Sequence, residues 1–470
     1  MRPPSATKRV LKFGGTSLGS ADRIRSAAQL IAGQVAETVP VVVVSAMGST
    51  TDSLVRAANA AQLGEQETWR ELIDSLEREH LEVCSDLADF SPGAEEPAAA
   101  ILSHLRAVRE LCQVAGAERG LSGTQLDEIS STGELLSAAI TADTLNKLGL
   151  AACAVDAKQI IQTDGRFGRA MVAAQASEHL IRGRLSPLLA DRVIPVVTGF
   201  RGATAEGSCT TLGRGGSDST ATIIGALLPA DEVWIYTDVA GVMTADPRLV
   251  PSAKVIPFLS YREALELAFF GARVLHPNSM DLPRHHDVRV RILSSFEPVS
   301  QGTVIGPKVK SRPGVRAVVD TRDARLFTVG GVDGVAFTRV GTAVLGGLEA
   351  EGIPTLIVTQ SSADNVICFA VSGEHGKRVR EILRKLRDDT GVLGEIEVTS
   401  KAGIVVAVGD SMRGTPGIAA KLFGALAERN INVVAISQGS SELSVSAAVR
   451  AEDVAAAVNA IHDAFELGAG

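Results

Sequence analysis

Chemistry in this sequence concentrates at glycine turns that follow apolar runs. Thr211-Leu212-Gly213-Arg214-Gly215-Gly216-Ser217-Asp218 brings glycines, one cation, one carboxylate and two side-chain hydroxyls beyond Thr210 into a single short stretch. The apolar run Val193-Ile194-Pro195-Val196-Val197 lies upstream, and a helix-like run of small residues starts at Ser219. Strand, glycine loop and helix N-terminus together bind anions, because backbone N–H groups and the helix dipole face the ligand. Arg214 can add a bidentate grip on a carboxylate or phosphate. Asp218 falls in the first helical turn, where negative charge is favoured. A plain turn capped by Ser217 or Asp218 would carry the same residues, so this loop alone leaves both readings open. A second turn, Lys12-Phe13-Gly14-Gly15-Thr16-Ser17, has a lysine at its mouth. Phosphoryl transfer needs cations and N–H groups around the moving group and little covalent chemistry. Lys12 alone would read as a solvated lysine at a strand end; with the Arg214 loop present, the phosphoryl reading is preferred. Glu134 follows Gly133 at a helix start, Thr237-Asp238 ends an apolar run, and Met243, Asp246 and Arg248 lie in a turn-rich stretch beyond it.

The elements that position these residues alternate in type. Apolar runs at Val10-Leu11, Val41-Val42-Val43-Val44, Ala152-Cys153-Ala154-Val155 and Val233-Trp234-Ile235-Tyr236 read as strands, the valine run as a buried parallel one. Helical periodicity over 20–36, with Ser20 as N-cap, and from Glu134 through Leu145 separates them. Residues 54–120 read as a helical lobe. The alternation predicts an α/β fold with a mostly parallel sheet covered on both faces, and ligands outside the carboxyl ends of its strands. The turns after Leu11, Val44, Val197 and Tyr236 should then meet on one side.

Composition excludes several classes. Over 470 residues, 45% are hydrophobic and 21% charged, as in a globular protein of two or three domains. A net charge of −8 and 4% aromatics argue against a nucleic-acid or membrane-surface partner. The five cysteines have no metal-ligand spacing, so no metal site is expected, and a reduced, cytoplasmic compartment is the simplest expectation. Walker A, H-R-D and H-E-x-x-H signatures are absent.

Beyond a basic, proline-bearing linker at 306–314 the chain repeats itself. Gly352-Ile353-Pro354-Thr355-Leu356-Ile357-Val358-Thr359-Gln360 matches Asn430-Ile431-Asn432-Val433-Val434-Ala435-Ile436-Ser437-Gln438 at an offset of 78 residues. Each copy carries the strand, helix, strand, strand, helix order of a ferredoxin-like βαββαβ unit. The second lacks a fourth strand, while the run at 315–320 lacks a partner. Unpaired strands leave backbone groups and a sticky edge. Residues 315–320 are therefore expected to complete the second sheet, with the first module inserted between.

The motifs taken together resemble the aspartokinases of the amino-acid-kinase family. The resemblance rests on Lys12 to Ser17, Ser131-Thr132-Gly133-Glu134, Thr210 to Asp218, Thr237-Asp238 through Asp246-Pro247-Arg248, and Phe270-Gly271-Ala272-Arg273-Val274-Leu275-His276-Pro277, in that order. It implies a three-layer sandwich over 8–306, a linker and leading strand over 307–323, and tandem ACT modules over 324–400 and 401–470. It also implies a monofunctional enzyme that phosphorylates the side-chain carboxylate of L-aspartate with ATP and Mg2+, the first step toward lysine, threonine and methionine. Lys12 and Asp218 would be catalytic; Ser45, Thr51, Glu134, Arg214 and Ser217 would hold aspartate, with Arg214 on its α-carboxylate and Glu134 on its α-ammonium. Lys12, Phe13, Gly14, Gly15, Gly216, Thr237, Asp238, Met243, Asp246, Arg248, Arg273 and Val274 would line the nucleotide. Gly334, Gln360, Asn365, Asn432 and Gln438 would hold an effector, threonine favoured, with lysine or both as the alternative. A homodimer or larger assembly through the ACT modules is expected. Arg273 stands where many relatives have lysine, and Met243 where some have tyrosine. Another amino-acid kinase, or a non-catalytic amino-acid sensor, is the competing reading.

Overall fold

The computed structural model describes residues 8–88, 95–271, 276–297, 300–307, 314–361 and 365–469. The chain divides into two compact units. The first comprises residues 1–242, 257–261 and 274–308; the second comprises 243–256, 262–273 and 309–470.

The first unit is built on ten strands: β1 (Arg9–Phe13), β2 (Val41–Val44), β3 (Ala152–Val155), β4 (Ile194–Thr198), β5 (Arg201–Ala203), β6 (Cys209–Thr211), β7 (Glu232–Thr237), β8 (Phe258–Ser260), β9 (Arg289–Ser294) and β10 (Thr303–Gly306). Eight of them form one sheet in the order β3-β4-β2-β1-β7-β9-β10-β8. Every pairing from β3 to β9 is parallel; β10 runs antiparallel to β9, and β8 parallel to β10. β5 and β6 make a separate antiparallel pair. The central strands are buried on both faces, which is why β2 is an unbroken valine run. Leu11, Phe13, Val42 and Val44 share a core with helices Ala21–Val35, Thr50–Gln62, Gln66–Asp86, Glu95–Glu118 and Thr132–Lys147. Helices Ala174–Ala190 and Gly216–Leu227 pack on the sheet as well, against β4 and against β1, β2 and β7. The helical lobe thus starts at Thr50, before the position at which the sequence periodicity begins. Ser20 caps the first helix through the N–H of Arg23 at 3.4 Å.

The second unit holds β11 (Ala317–Gly331), β12 (Ile357–Ser361), β13 (Val366–Ser372), β14 (Leu393–Val408), β15 (Ala435–Gln438) and β16 (Ser444–Arg450). They form one antiparallel sheet in the order β12-β13-β11-β14-β16-β15. Helices Phe337–Ala350 and Gly376–Thr390 cover one half, and Ile418–Glu428 and Val454–Ala464 the other, each half with its own apolar core. The run at 315–320 is not a separate strand: the structure carries two long strands, β11 and β14, through both halves. β11 pairs with β14 from Ala317↔Val408 to Thr321↔Ile404, then again from Leu326↔Thr399 to Val329↔Ile396, with register shifts between. The strand survives the charged run Thr321-Arg322-Asp323 because ladder partners resume on its far side. Residues 315 and 316 precede the strand, although the Arg316 N–H already donates to Val408 O at 2.7 Å. β12 and β15, at opposite ends of the strand order, lie against one another.

Candidate functional site

The carboxyl ends of β1, β2 and β4 and three helix starts meet in the first unit. Lys12 occupies the penultimate position of β1 and is 8% exposed. Its Nζ lies 2.7 Å from Asp218 Oδ1. Asp218 stands in the first turn of helix Gly216–Leu227, so the helix dipole and Lys12 both favour its charge. The cap of that helix is Gly215 rather than Ser217 or Asp218; both side chains are thereby left for other partners. Gly215 has φ +67°, and a Cβ there would lie 2.4 Å from His276 Cβ. Only glycine fits this turn and its close neighbour. Ser217 packs on the backbone of Gly199, where an added Cβ would meet it at 2.5 Å. Arg214 is exposed in the loop. Burial pushes the His276 imidazole below its usual range, with Asp218 opposing and Arg214 reinforcing that shift.

The second glycine turn closes on the loop after β2. A Cβ at Gly15 would sit 2.7 Å from Ala46 O, and Gly48 N–H donates to Gly15 O at 3.1 Å. A Cβ at Gly14 would come 3.4 Å from Lys12 Nζ. Ser45 and Thr51, both half-buried, flank this loop, and the Ser45 N–H donates to Phe13 O. Gly133 lets the next helix press on the same loop, with an added Cβ only 2.6 Å from Ala46 Cβ. Glu134 follows in that helix's first turn, 3% exposed. Burial drives its carboxyl up to about 8, against hydrogen bonds from the N–H groups of Ala46 and of Glu134 itself. Its Oε2 has no hydrogen-bond partner. A buried carboxyl with an unused oxygen has capacity for one further polar or cationic partner.

Other expected residues lie elsewhere. Thr237 and Asp238 end β7 in the first unit, with Thr237 Oγ1 donating to Asp238 Oδ1 at 3.1 Å. Met243, Asp246 and Arg248 belong to the second unit, where Asp246 pairs with Arg248 at 2.8 Å. Arg273 and Val274 lie outside the described residues. Gln360 and Gln438 are both exposed, on the two outer strands that touch. Asn365 donates to Val335 O at 2.6 Å, which ties it to the loop of Gly334. Asn432 is exposed ahead of β15. No described group of three or more His, Cys, Asp or Glu could hold a metal; magnesium carried on nucleotide phosphates needs no such group.

Sequence reasoning missed the buried frame under the loops. Arg201, 1% exposed, bonds Glu128 at 2.7 Å, Asp156 at 3.1 Å, and both the carbonyl and the hydroxyl of Ser131. It thereby fixes the residue that precedes helix Thr132–Lys147. Burial would raise the Glu128 carboxyl, but Arg201 and Lys158 outweigh it and hold the group at about 2. Asp127 accepts from the Thr211 N–H at 2.8 Å, the Thr211 hydroxyl at 3.0 Å and the Gly168 N–H at 2.8 Å, anchoring the start of the Arg214 loop. The available signal was Asp156, a carboxylate directly after a strand, and Arg201, a cation just past another.

A model of the amino acid kinase family matches residues 7–294, and a model of an ACT domain matches residues 405–465. The chain is 33% identical over 482 residues to the bifunctional aspartokinase/homoserine dehydrogenase 2 of Arabidopsis thaliana, covering 97% of this chain and 50% of that one. It spans about half the length of several such curated relatives. Aspartokinase 2 of the same plant is 32% identical over 470 residues, with 97% and 84% covered. Among solved structures, aspartokinase III of E. coli in complex with aspartate and ADP aligns at a TM-score of 0.84 with 28% identity, covering 97% and 99%. The same enzyme with lysine and aspartate aligns at 0.78, also with 28% identity, covering 97% and 98%. Among the described residues, no helix is long and apolar enough to cross a membrane.

Proposed function

Because the chain belongs to the amino acid kinase family, and within it to the aspartokinases, we propose that it transfers the γ-phosphoryl group of ATP to the side-chain carboxylate of L-aspartate. The observation that carries this reading is Glu134, a buried acid with an unused oxygen, which suits the α-ammonium of an amino acid. Arg214 supplies the complementary fork for the α-carboxylate. The substrate's side-chain carboxylate is ionised at neutral pH, so no general base is needed. One carboxylate oxygen attacks the γ-phosphorus, the bond to the bridging oxygen breaks, and ADP leaves with the electron pair. Lys12, held by Asp218, neutralises charge on the moving group, and the N–H groups of both glycine turns assist. Magnesium would arrive on the ATP phosphates and offset their charge.

The finer reading follows the family. The product, 4-phospho-L-aspartate, feeds lysine, threonine and methionine synthesis in the cytoplasm. The ACT modules, 324–400 and 401–470 with the leading strand, bind threonine in preference to lysine at Gly334, Gln360, Asn365, Asn432 and Gln438, and join copies of the chain. E. coli aspartokinase III, solved with lysine, keeps lysine as the alternative effector. The test is aspartate-dependent ADP release from MgATP, with and without millimolar threonine or lysine. Lys12→Ala should lower kcat by orders of magnitude with modest change in ATP KM. Arg214→Lys should raise aspartate KM and spare ATP KM. Near-normal turnover in Lys12→Ala would overturn the assignment of roles.

A further inference from the structure

The segment 243–256 is anchored to the regulatory sheet rather than left as a loop. Ala245 and Val250 are buried in one core with Val318, Leu422 and Val458. Val318 N–H donates to Thr244 O at 2.8 Å, and Thr244 Oγ1 shares a hydrogen bond with His462 Nε2 at 3.0 Å. Asn459 Nδ2 donates to Leu249 O at 3.0 Å. These contacts fix the backbone around Asp246, whose carboxylate accepts from the Arg248 N–H and from two arginine side chains.

We infer that Arg322 is a positioning residue for the phosphoryl donor, acting through Asp246 on Arg248. This rests on the reading of Asp246 and Arg248 as nucleotide contacts. Arg322 Nη2 lies 2.8 Å from Asp246 Oδ2, and Arg248 Nη2 lies 2.8 Å from the same oxygen. Arg322 is itself held from behind, its Nε 3.0 Å from Asp320 Oδ2. The chain Asp320, Arg322, Asp246, Arg248 therefore runs from β11 to a guanidinium that is 71% exposed. Arg322 falls at the register shift of β11, between Thr321 and Ala324. A residue outside the ladder at such a shift can be re-aimed, which lets a sheet strand present its side chain to a neighbouring segment. An exposed arginine loses conformational freedom when it grips a phosphate, so a carboxylate fixed in advance lowers the cost of binding. The Arg248 N–H holds Asp246 Oδ1 at 2.9 Å, and Arg322 is the group from β11 that holds the other oxygen, so that both ends of the carboxylate are fixed.

The experiment is steady-state kinetics of the full chain with MgATP and aspartate for Arg322→Gln, Arg322→Lys, Asp246→Asn and Asp246→Asn/Arg322→Gln. Arg378→Gln, which breaks the exposed pair with Glu351, serves as control. Arg322 is half exposed, so the expected effect of Arg322→Gln is about a two- to fivefold rise in ATP KM. Aspartate KM, kcat and the thermal midpoint should hold, and Arg322→Lys should fall between. The double variant should be no worse than Asp246→Asn alone, since the two act in series. An Arg322→Gln enzyme with unchanged ATP KM, or additive effects in the double variant, overturns the inference while the nucleotide reading stands. An unchanged ATP KM in Asp246→Asn removes the nucleotide reading, and the inference with it.

Discussion

Replacing Glu134 by glutamine should stabilise the ligand-free protein while abolishing high-affinity aspartate binding. The carboxyl titrates near 4.5 when exposed and is pushed to about 8 by burial in the fold. Between those values the unfolded chain releases a proton that the folded chain keeps. Stability from this group is therefore full below pH 4.5 and is lost as pH rises to about 8, at about 1.4 kcal/mol per unit. At pH 7 the loss amounts to about 3 kcal/mol, a large share of a typical folding free energy. Glutamine does not titrate, keeps an oxygen for the Ala46 N–H and has nearly the same shape, so it escapes that loss. The assay is urea unfolding of both proteins without ligands, from pH 5 to pH 9. All other titrating groups are common to the pair and cancel in the difference. That difference should grow in favour of Glu134→Gln with rising pH and level off above about 8. Binding supplies the complementary readout. An α-ammonium requires ionised Glu134, so wild-type aspartate KM should fall about tenfold per pH unit up to that point, and the KM of the glutamine variant should not. A stability difference that is flat across pH would refute the burial argument.

Two further outcomes follow from the frame around the site. Arg201→Met should cost about 3–5 kcal/mol in denaturant unfolding, because Glu128, Asp156 and the Ser131 carbonyl lose their shared partner in a site where Arg201 is 1% exposed. Gly215→Ala should lower stability by about 1–3 kcal/mol, since φ is +67° and the new methyl meets His276 Cβ. It should also lower kcat by displacing Asp218 from Lys12, and an unchanged melting midpoint and turnover would refute the packing account.

The parallel sheet is legible in the sequence because its strands are short apolar runs separated by helical periodicity. The glycine turns are legible because anion loops need those residues at those strand ends. What hides is whatever depends on distant partners. Arg201, Asp156, Glu128 and Asp127 carry no local pattern; each is an ordinary charged residue until folding buries it. Ala245 and Val250 likewise show no period, and nothing near them announces that their core belongs to the regulatory unit. The charged run 321–323 reads as a gap between strands, since local polarity outweighs a pairing set by residues more than seventy positions away. The helix cap shifts to Gly215 because the left-handed turn, rather than a side-chain oxygen, ends the loop.

β11 and β14 run through both regulatory modules without a break, over 15 and 16 residues. Domains joined by a linker can drift; these are laminated by two strands bonded to each other. Tilting one module against its neighbour must flex that double leaf. In its middle the ladder is interrupted only between Thr321 and Ala324 and between Ala324 and Leu326. Between Thr321 and Leu326 the two strands share only the Ala324↔Ala402 pair, so bending there strains fewer of their mutual ladder bonds than bending on either side. Any hinge between the modules therefore has a fixed line and a small throw, more like a leaf spring than a joint.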